Sequence, residues 1–192
     1  MPESPYGTNM WQEMSRFGRK LVEYGLVESN FGNISVRIGD RILITKSGCA
    51  LDEINEQGVI EVPLDRTSQL DKIASSETVV HRTIYQNTSA RAIIHVHCPF
   101  AVTGSLLAET DTIVPIDSEG ELFLREIPIV KGGIGTVELA NGASKELADH
   151  NGIIIHSHGT IAIGATLEEA YVITTQLEHS CKIKYWYDLA RK

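Results

Sequence analysis

The chain has 192 residues, 42% of them hydrophobic, and a formal net charge of -8 from 17 Lys and Arg against 25 Asp and Glu. That length supports one compact domain with a substantial core and is short for two. The acidic balance argues against broad attraction to nucleic acid or to an anionic membrane, both of which need an excess of Lys and Arg, so any anionic ligand has to be held by a local site.

Over residues 9–27, Trp11, Met14, Phe17, Leu21 and Tyr24 recur every three or four positions, the period of an amphipathic helix with one face on a sheet. Residues 33–37 and 41–45 read as short strands joined across Gly39-Asp40, a dipeptide suited to a tight hairpin turn. Residues 59–62 form a further strand. Ser75-Ser76 then precedes a helical stretch over 77–86, with serine available as the N-cap and Glu77 in the first turn. Residues 92–97 read as a buried strand, Pro99 starts a helix through Leu107, and 113–116 and 127–130 are short strands. The spacing predicts a helix over 136–150, a strand over 152–156 and a long helix from Leu167 to about Leu189. No internal repeat or linker interrupts the series, so residues 1–192 read as a single domain whose α and β elements are mixed rather than alternating.

Cys49, Cys98 and Cys181 are odd in number, widely spaced and without a CxxC pair, which reads as reduced thiols in a cytosolic protein. The stretch 1–10 lacks the basic, apolar, small-residue progression of a signal peptide, and no apolar run approaches the roughly 18 residues that span a bilayer. The expectation is a soluble, unexported, cytoplasmic protein.

The chemistry gathers around histidine. In Ile94-His95-Val96-His97 the strand period of two sends both imidazoles to one face, where they can chelate one ion or merely line a polar strand edge. His156-Ser157-His158-Gly159 follows the apolar run 153–155, where a buried strand emerges and ligand sites commonly form. One imidazole from it would complete a three-histidine set with an open coordination position, as expected of catalytic zinc. Glu77 adds a carboxylate at a helix start, where capping alone could also account for it. Gly32-Asn33, Ser47-Gly48 and Ser75-Ser76 are small residues at turns or a helix start, suited to cradling phosphate with backbone N–H groups and hydroxyls, although each alone reads as a turn. Gly132-Gly133-Ile134-Gly135 is too irregular for a dinucleotide loop and reads as a turn before the next helix.

Taken in order, Gly32-Asn33-Ile34-Ser35-Val36-Arg37, Ile44-Thr45-Lys46-Ser47-Gly48, Ser75-Ser76-Glu77, His95-Val96-His97 and His158-Gly159 resemble the motif series of the class II aldolase and adducin-head family. The likeness runs from about Trp11 to about Tyr187. It implies a single-domain α/β/α sandwich with a central mixed, largely antiparallel β-sheet flanked by helices. In members like the fuculose phosphate aldolases, the matching residues imply zinc on His95, His97 and His158, Glu77 as both resting-metal ligand and acid/base, and substrate phosphate on Gly32, Asn33, Ser47, Gly48, Ser75 and Ser76. The implied activity is metal-dependent cleavage of a ketose 1-phosphate, such as fuculose 1-phosphate, to dihydroxyacetone phosphate and an aldehyde. The implied assembly is a homotetramer with active sites at its interfaces.

Two departures bear on this expectation. The loop where family aldolases carry a tyrosine is Lys131-Gly132-Gly133-Ile134 here, and the chain stops at Lys192, soon after the last helix. Epimerase-like relatives use an acid near the position of Glu121, so Lys131, Glu121 or a neighbouring chain are the candidates for the second proton transfer. Epimerisation, dehydration or decarboxylation on the same metal site, a hydrolytic zinc site and a non-enzymatic adducin-head-like module are the alternatives. His156 is expected to support or pack beside the site, and His81, His150 and His179 to be solvated or packed away from it.

Overall fold

The computed structural model describes residues 10–28 and 30–191. Its strands are β1 Asn33–Ile38, β2 Arg41–Thr45, β3 Val59–Pro63, β4 Ala92–Val96, β5 Thr112–Ile113, β6 Ile127–Val130, β7 Gly152–Ile155 and β8 Gly159–Gly164. The α-helices are α1 Met10–Glu23, α2 Thr78–Asn87, α3 Pro99–Leu107, α4 Ser118–Phe123, α5 Val137–Glu146 and α6 Leu167–Ala190. The strands form one sheet in the order β3-β2-β1-β4-β8-β7-β6-β5. β6 and β7 run parallel, and every other neighbouring pair is antiparallel.

Because successive side chains of a strand point to opposite faces, the sheet divides the apolar core in two. Ile42, Ile44, Ile93, Ile153, Ile155 and Ile161 pack beneath α2 and α5. Ile34, Leu43, Ile94, Val96, Ile154 and Ala162 pack on the other face with α1, α3 and α6. The result is the expected α/β/α sandwich. The unbroken apolar run Ile153-Ile154-Ile155 is what a strand buried on both faces requires.

Several boundaries differ from the sequence reading. The first helix ends at Glu23, four residues early, because the Leu26 N–H turns back to the Leu21 carbonyl at 2.9 Å and Gly25 N–H to Val22, a closing motif that ends helices. Its expected start at Asn9 lies outside the described residues. The strand expected over 113–116 is the two-residue β5, and β8 and α4 have no counterpart in the sequence reading. α4 is a short helix started by Asp117, whose carboxylate accepts the Gly120 N–H at 2.8 Å. Among the described residues, no helix is long and apolar enough to cross a membrane.

One long-range cap fixes the helix that follows β4. The Glu178 carboxylate on α6 accepts the N–H groups of Phe100 at 2.9 Å and Ala101 at 3.0 Å, pinning the start of α3 just after His97. Glu178→Ala should cost about 1–2 kcal/mol, the range of a lost helix cap. An unchanged urea midpoint would show the cap to be dispensable.

Candidate metal centre and anion cradle

β1 and β4 pair so that Asn33 stands opposite His95. Both are buried on the sheet face that α2 covers. His97 lies just past the end of β4, and His158 sits in the turn between β7 and β8. The ring centroids of His95, His97 and His158 are 4.8 to 5.2 Å apart, and one ligand atom from each lies within 4.8 Å of the others.

Two glycines make this convergence sterically feasible. A Cβ on Gly159 would stand 2.5 Å from the Val96 carbonyl oxygen, 3.0 Å from His97 Cδ2 and 3.1 Å from His95 Cε1. Gly32 has φ +77°, and a Cβ there would meet the His95 carbonyl oxygen at 2.7 Å, so its position needs both the left-handed backbone and the missing side chain.

Hydrogen bonding fixes which nitrogen of His95 is free. Its Nδ1–H donates to the Thr160 carbonyl oxygen at 2.9 Å, and since a carbonyl can only accept, the neutral ring carries its lone pair on Nε2. That Nε2 lies 3.1 Å from Glu77 Oε2. Two acceptors at this distance require a proton or a cation between them. Burial pulls the His95 pKa down to about 4. Burial also raises that of Glu77, against lowering by His158, Asn33 and His97. Without a metal, the shared proton therefore belongs on the carboxyl.

The donor set fits a divalent cation. Bonds of about 2.0–2.2 Å from imidazole nitrogen and carboxylate oxygen to one ion place such donors about 3 Å apart, close to the His95–Glu77 separation. Glu77 Oε1 and His158 Nδ1 are buried with no hydrogen-bond partner. The Gly135 amide lies near the Glu77 carboxyl and is the smallest of the influences that lower its pKa.

Glu77 is the N-cap residue of α2, not a first-turn residue as expected, and neither serine caps that helix with its side chain. Ser75 organises the preceding turn. Its hydroxyl accepts the Glu77 N–H at 3.3 Å, and its carbonyl accepts the Thr78 hydroxyl at 2.6 Å. The Glu77 side chain is thereby free to turn inward, where Asn33 Nδ2 donates to Oε2 at 3.3 Å.

The expected phosphate residues surround the same space. Ser47 N–H bonds to the Ile73 carbonyl at 3.1 Å and Ser75 N–H to the Thr45 carbonyl at 3.0 Å, which binds the two serine-rich turns side by side. Gly32, Asn33, Ser47, Gly48, Ser75 and Ser76 line one cavity of about 220 Å³ with Glu77, His95, His97 and His158. Its deep end is acidic and imidazole-rich. Ser47, Gly48 and Ser76 are exposed at the opposite rim.

The sequence reading misses Phe31, Lys46 and Ile134, which also line the cavity. Phe31 stacks on His97 with centroids 5.5 Å apart. Lys46 is the one with a sequence signal, since it lies inside the Thr45-Lys46-Ser47-Gly48 motif beside the small residues assigned to phosphate. Lys131 and Glu121 are exposed and outside the lining, and Lys131 pairs with Asp111 at 2.9 Å. His156 falls outside the imidazole group. β7 ends at Ile155 and Ser157 takes a left-handed φ of 59°, which breaks the strand alternation that would have aligned His156 with His158. His150 is packed against Glu146 and Glu126, and His179 is exposed. His81 is buried as expected of a packed residue but is not remote: it bonds Ser35 at 2.7 Å, and its pKa falls to about 3 through burial, with a smaller push from His95.

These shifts set a pH dependence for the metal-free protein. His81 and His95 are neutral when folded down to about 3 and 4, whereas unfolded histidine takes up a proton near 6.5. Between those limits the unfolded chain binds more protons, so stability falls with falling pH, by up to about 1.4 kcal/mol per pH unit for each buried histidine. Glu77, whose folded pKa burial raises, takes up its proton at a higher pH than an unfolded glutamate and so opposes this fall in the interval between 4.5 and its raised folded value. Urea midpoints should drop steadily from pH 7 to pH 5, and a flat profile would contradict neutral burial.

Fold and cavity together define an α/β/α domain in which three imidazoles and one carboxylate converge at one end of a cavity rimmed by small residues. The sequence matches the Class II Aldolase and Adducin N-terminal domain over residues 12–185. The chain is similar to L-fuculose phosphate aldolases of Methanococcus maripaludis strain C7, at 34% identity covering 86% of this chain and 90% of that protein, and Methanocaldococcus jannaschii, at 32% identity covering 91% and 94%. The solved structure of L-fuculose-1-phosphate aldolase from Thermus thermophilus superposes with a TM-score of 0.88 at 33% identity, covering 94% of this chain and 95% of that one. The chain belongs to the class II aldolase and adducin N-terminal domain family.

Proposed function

We propose that the protein is a zinc-dependent sugar-phosphate aldolase that cleaves a ketose 1-phosphate, such as fuculose 1-phosphate, into dihydroxyacetone phosphate and an aldehyde. The observation that carries this reading is that His95, His97, His158 and Glu77 line one cavity together with the small residues Gly32, Asn33, Ser47, Gly48, Ser75 and Ser76. His95, His97 and His158 would hold the cation with Glu77 beside them. The bound cation supplies Lewis-acid withdrawal of electron density as the carbon–carbon bond breaks. Ser47, Gly48 and Ser76 hold the phosphate at the rim, with Ser75, Gly32 and Asn33 lining the cavity beneath them, and so orient the sugar toward the deep end. Glu77 moves a proton to or from the substrate carbon, a task suited to a buried carboxyl that lines the same cavity as the three histidines.

A second proton transfer falls to a group outside this lining, and we assign it to a neighbouring chain of a homotetramer with its cavities at the interfaces. Exposed Phe31 and Ile134 at the rim, 58% and 64% accessible, support such a contact.

The test is cleavage of a panel of ketose 1-phosphates, including fuculose and ribulose phosphates, by metal-stripped protein with and without added zinc, coupled to detection of dihydroxyacetone phosphate. Zinc-dependent release supports the aldolase. Zinc binding with turnover to an epimer or a dehydrated product would replace it with that chemistry, and failure to bind any divalent cation would leave an adducin-like interaction module.

A further inference from the structure

Helix α2 and strand β1 carry polar residues in matched steps. Four helical residues advance about 6.0 Å, and two strand residues advance about 6.6 Å, so positions 77, 81 and 85 can meet positions 33, 35 and 37 in turn. Asn33 Nδ2 donates to Glu77 Oε2 at 3.3 Å. Ser35 Oγ lies 2.7 Å from His81 Nδ1 and 2.8 Å from the Tyr85 hydroxyl. Arg37 Nη1 donates to the Tyr85 carbonyl at 3.0 Å. Ser35 and His81 are fully buried and Tyr85 is 1% exposed.

The surrounding interface is apolar, with Val80 and Ile84 of α2 packed in one cluster with Ile44 and Ile93 of the sheet. Aliphatic contacts are non-directional, so they tolerate a small slide or rotation of the helix. Hydrogen bonds do not, and a buried polar group that loses its partner costs the whole desolvation penalty. Ser35 Oγ can donate one hydrogen bond and accept two, so it bonds both neighbours whichever way the protons run, tying both helix residues to a single strand position. His81 Nε2 has no partner. An apolar side chain would avoid that cost, which leaves the bond at Nδ1 as the use of the imidazole.

We propose that Ser35, His81 and Tyr85 are positioning residues: a buried hydrogen-bonded chain that locks α2 in register on β1 and so holds the Glu77 carboxylate against His95. The inference rests on the reading of Glu77 as the working carboxylate beside the metal. A fold needs α2 only to cover the sheet, whereas a site needs Glu77 fixed to a fraction of an ångström.

The experiment compares Ser35→Ala, Tyr85→Phe, His81→Leu and His81→Asn, the last retaining a polar atom near the place of Nδ1. Val80→Ala, on the same helix but outside the chain of hydrogen bonds, is the control for general loosening. Cobalt affinity is read from its absorption spectrum in metal-stripped protein, kcat and KM are measured separately, and the position of Glu77 is read from variant crystal structures. Ser35→Ala and His81→Leu should weaken cobalt binding and lower kcat by about tenfold or more with KM nearly unchanged, as loss of a supporting residue does. Tyr85→Phe should fall in the same direction, His81→Asn should stay within about threefold of wild type, and Val80→Ala should lose thermal stability alone. Glu77 unmoved in the Ser35→Ala and His81→Leu structures, with affinity retained, would overturn the proposal, as would equal losses in Val80→Ala. If wild type cleaves nothing or Glu77→Gln binds cobalt normally, the reading of Glu77 fails, and the variant structures still decide whether the chain of hydrogen bonds sets its position.

Discussion

Glu77→Gln should lower kcat for ketose 1-phosphate cleavage by about 10²–10⁴-fold while leaving KM within about threefold, the pattern of a lost proton-transfer group. Glutamine keeps the side-chain length and an oxygen that can accept from Asn33 Nδ2, which now reaches Glu77 Oε2 at 3.3 Å. The variant is therefore expected to fold with the cavity intact. What it loses is the exchangeable proton and the negative charge 3.1 Å from His95 Nε2, so zinc affinity should fall as well, and the assay has to be run at saturating zinc to isolate the chemical step.

The comparison with Lys131→Met and Glu121→Gln gives this result its meaning. Both residues are exposed and outside the cavity lining of their own chain, so each variant should stay close to wild type unless that residue, presented by a neighbouring chain, carries the second proton transfer. A loss confined to Glu77→Gln supports the assignment. A comparable loss in Glu121→Gln would point to an epimerase-like acid reaching the site from another subunit, and wild-type kcat in Glu77→Gln would remove the acid/base role from this residue.

Much of this site is legible in the sequence because its parts are local. His95-Val96-His97 needs only the alternation of a strand, and the hairpin over 33–45 needs only Gly39-Asp40 between apolar alternations. The element order is likewise readable, since long periodic stretches such as α6 declare themselves. What the sequence does not reveal is set by contacts across the fold. Ser75 forms the turn that leaves Glu77 at an N-cap with its side chain inward, a choice made by Asn33 and His95 on two other elements. His81 looks like any helical histidine until β1 brings Ser35 within 2.7 Å of it. β8 is hidden in the sequence because its apolar run between glycines lacks the polar alternation that marks a half-exposed strand, and it is buried on both faces. His156 follows a strand period in the sequence that the left-handed backbone at Ser157 interrupts in the structure.

Gly159→Ala tests the steric condition for bringing the histidines together. The new methyl would stand 2.5 Å from the Val96 carbonyl oxygen and less tightly against two of the three imidazole rings, at 3.0 Å from His97 and 3.1 Å from His95. The carbonyl belongs to the β4–β8 ladder, where Val96 faces Thr160, and the Thr160 carbonyl also accepts the His95 Nδ1–H. Relief by backbone movement therefore shifts the residue that orients His95, while relief by ring movement shifts the ligands themselves. Overpacking of this kind costs about 1–3 kcal/mol, and displacement of ligand and support together should weaken zinc binding by about 10–100-fold. Gly142→Ala supplies the comparison, because its methyl would meet Val130 Cγ1 at 2.8 Å, a side-chain atom away from the histidines. It should lower the urea midpoint and leave zinc affinity unchanged. If Gly159→Ala also retained wild-type affinity, the absence of a side chain at 159 would not be what lets the three rings converge, and the pairing of β4 with β8 would have more slack than these contacts allow.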